Sequence, residues 1–385
     1  MQTKRVLIVS ESHLIKTFVT PSLSLLKSEY NVSFDCFIIS PVSIEDRLLH
    51  SHIFDKVISN EYLKGPITRI RKIGILFYFI NLWKISRDLT EYDTIHIQYH
   101  HWYIALITKF LRRKCSKLII SFFGSDFNDV SAFHHFCNRA SIKQADVISA
   151  TNPVFLSRIY DYYRLNSKHI SNMILFPLMS SFIDFEDFLN KNDVLKAKHL
   201  LGTDKKIITC GYNGAKIVQH QAIWKSIVES NLNEEEYKII FPMTYGTGNL
   251  DSIITLKESI NETKFDVAII KDYLEINDLR SLRLATDIFI HIQTRDQFSA
   301  SMLEHLAAGS VAIIGKWLPY DLLIEKDVYA VWVNSPDELT DALNNVISNL
   351  QMHKDRASAN RQIILDLVDW NNIKKDWIKT YNLNL

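Results

Sequence analysis

Cysteine is sparse in this 385-residue chain: Cys36, Cys115, Cys137 and Cys210 stand far apart and form no C-x-x-C pair. That spacing argues against a disulfide framework and against a cysteine zinc site, and it points to reducing cytoplasm. Nucleotide fingerprints are missing too. No G-x-G-x-x-G follows the first apolar run, where VSESHLIK stands instead, and no G-x-x-x-x-G-K-[ST] occurs, so neither a dinucleotide fold nor a P-loop has its own signature here. The absence of D-x-D, H-E-x-x-H and G-x-S-x-G counts against a divalent-metal catalyst, a zinc hydrolase and an α/β-hydrolase. Neither a metal nor another cofactor is expected. No stretch of 18 apolar residues runs uninterrupted, and MQTKRVLIVSES lacks the apolar core and cleavage site of a secretory signal. The expectation is a cytoplasmic protein, soluble or peripheral on the inner membrane face.

What is present is alternation. RVLIVS, FDCFIIS, DTIHIQY, KLIISFFGS and DVISAT read as strands, separated by helical patterns such as TPSLSLLKSE and WYIALITKFLRRK. KIITCGY, KIIFPMT, FDVAII, DIFIHI, VAIIG and YAVWV repeat the pattern in the second half. Such alternation implies parallel sheets with helices on both faces, and the length implies two domains. The expected fold class is α/β, with two Rossmann-like doubly wound domains facing a cleft. The expected division is 1–180, 181–369 and a C-terminal segment 370–385, with the join in ILFPLMSSFIDFEDF. In WNNIKKDWIKTYNL, Trp370, Ile373, Trp377 and Tyr381 recur at spacings of three and four, an apolar helical stripe expected to pack back on the first domain.

The net charge of +1 conceals an asymmetry: residues 1–185 carry 22 Lys and Arg against 15 Asp and Glu, and residues 186–385 carry 22 against 28. The excess on the first half suits an anionic partner or surface, although a solvated basic face explains it as well. In residues 64–87, Lys64, Arg69, Arg71 and Lys72 precede Phe77, Tyr78, Phe79 and Trp83, and Lys84 and Arg87 follow. Basic residues beside aromatics suit an anionic bilayer interface; a buried helix with a basic entry loop is the plainer reading. No nucleic-acid-binding motif accompanies the charge, and none of that partner class is expected.

One junction concentrates candidate chemistry. TRDQFSASMLEHLAAGSVAII, Thr294 to Ile314, runs from the apolar DIFIHI through a polar turn into a small-residue helix and a second apolar strand. In an open α/β sheet, the carboxyl end of such a strand borders the ligand crevice. A helix starting near Ser299 to Ser301 would turn the N–H groups of its first turn toward a phosphate. Asp296 and Glu304 would accept hydrogen bonds from sugar or ribose hydroxyls. The plainer alternative is an S-x-x-E capping box, Ser301 to Glu304, in which Glu304 binds only its own helix.

D-x7-E followed by a small-residue helix, Gly309 and an apolar strand resembles the E-x7-E element of the retaining glycosyltransferases of family 4, which have the GT-B fold. IHIQYHHWYIALITKFLRRKCSKLIISFFGSD, QADVISATNPVF and INDLRSLRLATDIFIHI resemble further elements of that family, so most of the chain is covered. CGYNG, FPMTYGTGN and the general layout are also similar to bacterial transferases that add 4-acetamido-4,6-dideoxygalactose to a lipid-linked intermediate, which are GT-B and inverting. The resemblance implies a nucleotide-sugar donor, with Glu304 on the ribose hydroxyls, Asp296 on the donor sugar, and main-chain N–H groups of Phe298, Ser299, Ala300 and Ser301 on the distal phosphate. Two departures stand out: the first acid is Asp296 followed by QFSA in place of a glycine-rich turn, and Tyr212 stands where the family has arginine.

A leaving diphosphate needs a cation or a helix end beside it, and Lys216, Lys271 and Arg295 are the candidates; a solvated role is the plainer reading of each. Gly211, Tyr212 and Asn213 lie beside Lys216, Tyr245 and Gly246 end another strand, and Ile270, Lys271 and Tyr273 occupy the expected base position. On the first domain, His100, His101 and Trp102 end one strand and Gly124, Ser125 and Asp126 the next, with His13 after the first. Imidazole and carboxylate can orient or deprotonate an acceptor hydroxyl, which makes His101 and Asp126 catalytic candidates beside Asp296 and Glu304.

The function expected is a metal-independent glycosyltransferase acting on a saccharide or polyprenyl-linked acceptor in surface glycan synthesis, capsule or lipopolysaccharide. Two alternatives are a non-hydrolysing nucleotide-sugar 2-epimerase and a non-catalytic relative that binds a glycan or a partner transferase. Glu304→Ala is expected to stop transfer and leave the fold intact.

Overall fold

The computed structural model describes residues 3–11, 19–39, 52–60, 71–165, 170–173, 191–246 and 250–383. Contacts divide the chain into two compact units, Met1–Met179 with Trp370–Leu385, and Ser180–Asp369. The expected join at 174–188 lies outside the described residues.

The first unit carries β1 (Lys4–Ser10), β2 (Val32–Ile38), β3 (Lys56–Ser59), β4 (Tyr92–Gln98), β5 (Cys115–Phe122), β6 (Val147–Ala150) and β7 (Ile170–Met173), in the order β3-β2-β1-β4-β5-β6-β7. Every pairing is parallel. Strands covered on both faces read as continuous apolar runs, and β1 is buried from Val6 to Ser10. Between the strands lie α1 (Thr20–Glu29), α2 (Arg71–Asp88), α3 (Ile104–Arg112), the short α4 (Ser125–Asn128), α5 (Ala132–Ile142) and α6 (Pro153–Tyr163). Their packing separates two cores: Leu7, Val9, Ile95 and Ile97 face one side of the sheet, and Val6, Ile8, Phe34 and Cys36 face the other.

The second unit carries β8 (Lys206–Cys210), β9 (Tyr237–Pro242), β10 (Asp266–Ile270), β11 (Thr286–His291), β12 (Val311–Gly315) and β13 (Val331–Val333), in the order β10-β9-β8-β11-β12-β13. All of these pairs are parallel too. Its helices are α7 (Lys191–Leu200), α8 (His220–Glu229), α9 (Leu250–Asn261), α10 (Ile276–Ala285), α11 (Ala300–Ala307), α12 (Asp321–Glu325), α13 (Leu339–Ser348), α14 (Leu350–Ala357) and α15 (Asn360–Val368). In both sheets the chain starts in the interior, winds outward and then crosses back. The switch points fall between β1 and β4 and between β8 and β11, and loops leaving the carboxyl ends of such a strand pair diverge to open a crevice.

The C-terminal helix α16 (Trp370–Tyr381) returns to the first unit. Trp377 and Tyr381 are fully buried against Val6, Ile8, Phe34 and Leu23. The Tyr381 hydroxyl lies 2.7 Å from His96 Nδ1, and Lys117 Nζ donates to the Thr380 carbonyl at 2.7 Å. The stripe of Ile373, Trp377 and Tyr381 is thus core, with Trp370 partly buried beside it.

Helix α2 shows mixed character. Leu82 is buried, while Leu76, Ile80 and Trp83 are exposed at 59%, 49% and 41%. Arg87 stacks 4.9 Å from the Trp83 ring. Lys64 and Arg69 lie outside the described residues. No helix among the described residues is long and apolar enough to cross a membrane.

Candidate functional site

Two loops meet at the switch point of the second sheet. After β8 the chain turns through Gly211, whose φ of +66° favours glycine. A Cβ there would lie 2.2 Å from Val218 Cγ1, so the loop closes only without a side chain at 211. Asn213, buried, accepts from the Ala215 N–H at 2.9 Å in an Asx turn. The β9 loop locks onto it: Gly214 N–H donates to the Tyr245 carbonyl at 2.7 Å, and Gly246 (φ +73°) sits against the Ala215 backbone. Thr294 N–H donates to the Ile217 carbonyl at 2.8 Å, which ties the β8 loop to the β11 loop.

The β11 loop is shaped by Asp296. Its Oδ2 accepts from the Ser299 N–H at 3.0 Å, just before α11, and from the Tyr320 hydroxyl; its Oδ1 receives the Tyr212 hydroxyl at 3.4 Å. His291 Nε2 lies 2.7 Å from the Tyr320 oxygen and 3.4 Å from Asp296 Oδ2, and the Tyr212 ring stacks on His291 at 5.9 Å. Burial pushes the Asp296 carboxyl up, but hydrogen bonds from His291, Tyr320 and the Gln297 N–H carry it below its usual range. Phe298 adopts φ +70°, a conformation that costs a non-glycine residue about 1–3 kcal/mol and clusters at functional sites. The turn is made without glycine, and the Phe298 ring is buried 6.0 Å from Tyr320.

Glu304 settles the capping-box alternative. α11 starts at Ala300 with Ser299 as its cap, and Glu304 does not reach back. Its Oε2 accepts from Arg283 Nε at 3.1 Å; Glu304 is 2% exposed and Arg283, on α10, 4%. Glu304 Oε1 has no hydrogen-bond partner among the described residues, nor do Ser301 Oγ one turn earlier and Gln293 Oε1 at the end of β11. Buried polar atoms are nearly always paired in native proteins, and these three unpaired atoms lie on the β11 loop and the first turns of α11. The expectation that Glu304→Ala leaves the fold intact is corrected by this geometry, because that change strands a buried guanidinium.

The cation candidates separate. Lys216 is exposed in a 3-10 turn after the β8 loop, Arg295 is partly buried in the β11 loop, and Lys271 and Tyr273 are exposed past β10. β10 is the sheet edge, two strands from β8; the Ile270 carbonyl accepts from the Met243 N–H at 2.7 Å, and Tyr273 lies near enough to Tyr245 to act on its hydroxyl. Arg283, Gln293, His291 and Tyr320 were missed by sequence reasoning. Arg283 lies on a mixed-charge helix and reads there as solvated, and only the docking of α10 on α11 turns it inward.

On the first unit, the groups after β4 and β5 divide into structural and open. Asp126 is buried, and its oxygens accept from the N–H groups of His100 (3.0 Å), Phe123 (3.0 Å) and Gly124 (2.8 Å). Burial pushes it up to about 6 against those bonds. It therefore fastens two strand ends, a correction to its reading as a base. Gly124 makes that turn with φ +118°, and the Ser125 hydroxyl lies 2.9 Å from that of Tyr99. His100 is buried on Ser141 Oγ at 2.8 Å, its pKa lowered to about 4 by burial. His101 is different: its Nε2 lies 2.8 Å from Glu11 Oε1, which also receives the Tyr103 hydroxyl at 2.9 Å. Its ring stacks on Tyr103 at 4.9 Å. Glu11 had one sequence signal, its place directly after β1. His13 lies outside the described residues. Among the described residues no three His, Cys, Asp or Glu side chains cluster as a metal site.

The two doubly wound units have the GT-B architecture. Solved glycosyltransferases superpose on nearly the whole chain. Sucrose-phosphate synthase (tll1590) from Thermosynechococcus elongatus does so with a TM-score of 0.74 and 14% identity, covering 98% of this chain and 98% of its own. Alr3699/HepE from Anabaena, in complex with UDP and glucose, gives 0.70 and 14%, covering 98% and 99%. A glycosyltransferase from Rickettsia africae gives 0.70 and 14%, covering 99% and 98%. No protein-family model and no curated protein matches the chain. At 14% identity these likenesses establish the fold.

Proposed function

We propose that this protein is a glycosyltransferase that takes a sugar from a nucleotide-sugar donor without a metal. The donor is received by the second unit at the β8 and β11 loops. The acceptor, a saccharide or polyprenyl-linked glycan of surface polysaccharide synthesis, is received by the first unit. One observation carries the reading: a buried carboxylate with an oxygen unpaired among the described residues, close to the switch point and the first turn of α11, beside two further unpaired polar atoms. Ribose hydroxyls satisfy such acceptors, and the N–H groups of Ala300 and Ser301, which have no helical partner by position, suit a phosphate. The neighbours support it in kind, since HepE was solved with UDP and with UDP-glucose.

On the acceptor side, Glu11 orients His101 through Nε2, which leaves Nδ1 as the nitrogen for an acceptor hydroxyl. The exposed Leu76, Ile80 and Trp83 of α2, beside Lys84 and Arg87, favour peripheral contact with anionic membrane at this unit. Calorimetric titration with UDP, GDP and ADP in the presence of EDTA tests the reading. One nucleotide should bind at micromolar to low-millimolar concentration, and its sugar conjugates should hydrolyse slowly without acceptor. No heat with any of them up to several millimolar overturns it.

A further inference from the structure

We infer that Arg283 is a positioning residue that holds Glu304 ionised and fixes one of its oxygens, so that preference for a ribonucleotide over its 2′-deoxy counterpart depends on a side chain that acts through the carboxylate. This rests on the donor reading above and adds to it the origin of ribose selectivity.

A carboxylate nearly sealed from water has two states open to it: protonated and neutral, or ionised beside a cation. Arg283 supplies the cation at 3.1 Å, and an arginine does not lose its proton in a protein. Burial raises the Glu304 carboxyl above its ordinary value, and the charge and hydrogen bond of Arg283 limit that rise. The guanidinium is itself held: its Nη1 lies 3.0 Å from His305 Nε2, His305 Nδ1 lies 3.2 Å from Ser310 Oγ, and the His305 ring stacks 3.9 Å from Phe289. Burial drives the His305 pKa well down, so the imidazole is neutral and its Nε2 accepts a hydrogen bond from the guanidinium N–H. The chain Ser310, His305, Arg283, Glu304 fixes one carboxylate oxygen and leaves the other open. Ser301 Oγ, three residues earlier on α11, lies on the same helix face and is equally unpaired. Two acceptors on one face suit the two neighbouring hydroxyls of a ribose. With 2′-deoxyribose, one of them stays buried and unsatisfied, which costs roughly tenfold or more in affinity.

The test compares UDP with 2′-deoxy-UDP, and GDP with 2′-deoxy-GDP, on wild type, Arg283→Met, Arg283→Lys, Glu304→Gln and the double variant Arg283→Met/Glu304→Gln, with folding checked by circular dichroism. Wild type should prefer the ribonucleotide by at least tenfold. Arg283→Met should lose that preference, since both forms then bind alike, and Arg283→Lys should keep most of it. The double variant should discriminate no less than Glu304→Gln alone, because Arg283 acts only through the carboxylate. This comparison also serves if Arg283→Met fails to fold. A folded Arg283→Met with the wild-type ratio, or a double variant that loses discrimination still present in Glu304→Gln, overturns the inference while the donor reading stands. If wild type binds neither member of either pair, both fall.

Discussion

Glu304→Gln removes a charge that the second unit buries beside Arg283, and its cost can be bounded from the structure. Both partners are under 5% exposed, and removing one member of a buried pair costs about 3–5 kcal/mol, because the survivor's charge stays desolvated. The glutamine carbonyl can still accept from Arg283 Nε, which places the expected loss near the lower bound, about 3 kcal/mol. For the 190 residues of Ser180–Asp369, a loss of that size lowers the melting temperature by roughly 6–12 °C. Differential scanning calorimetry of the full chain measures it. The companion Arg283→Met/Glu304→Leu should recover most of the loss, since apolar isosteres of a buried pair are often neutral. A Glu304→Gln transition within a degree or two of wild type refutes the argument, because it requires that the pair be reached by water.

Three further outcomes follow from other parts of the fold. Gly211→Ala forces a Cβ into Val218 at a positive φ, so nucleotide affinity should fall at least tenfold in calorimetry while far-ultraviolet circular dichroism stays unchanged; wild-type affinity would show that the β8 loop is not shaped for the ligand. Trp377→Ala opens a cavity in a fully buried site and should destabilise the first unit by about 3–5 kcal/mol; a denaturation midpoint equal to wild type would mean α16 is only loosely docked. Burial lowers His96 to about 3 and His100 to about 4, so the unfolded chain takes up their protons near pH 6.5 while the folded chain does not, and stability is lost as the pH falls, by up to about 1.4 kcal/mol per unit for each. Asp126, raised to about 6, opposes this below that pH, since the folded chain protonates it first. The net slope of the first unit between pH 6.5 and 5 should be a loss on acidification, read by thermal unfolding, and a flat profile would contradict it.

Periodicity made much of the fold legible. TPSLSLLKSE matches α1 residue for residue, and the long buried strands announce themselves by unbroken apolar runs. The edge strands β3 and β7 were missed, because four residues of mixed character carry no period. At the site, the strand-turn-helix junction identified the loop after β11 correctly, since a polar turn between apolar strand and helix is a local signal. The partners were not local. Tyr320 lies 24 residues from Asp296 and Arg283 lies 21 from Glu304, and nothing at either position marks which way its side chain turns. Asp126 misled for the converse reason: a carboxylate at a strand end looks the same whether it faces a ligand or three backbone N–H groups.

Hydrogen exchange of the 385-residue chain, with and without a saturating nucleoside diphosphate, tests the central claim most directly. The account predicts slowed exchange in peptides covering residues 211–219 and 293–304 and little change elsewhere in the second unit. Protection confined to other segments, with those two loops unchanged, would contradict it.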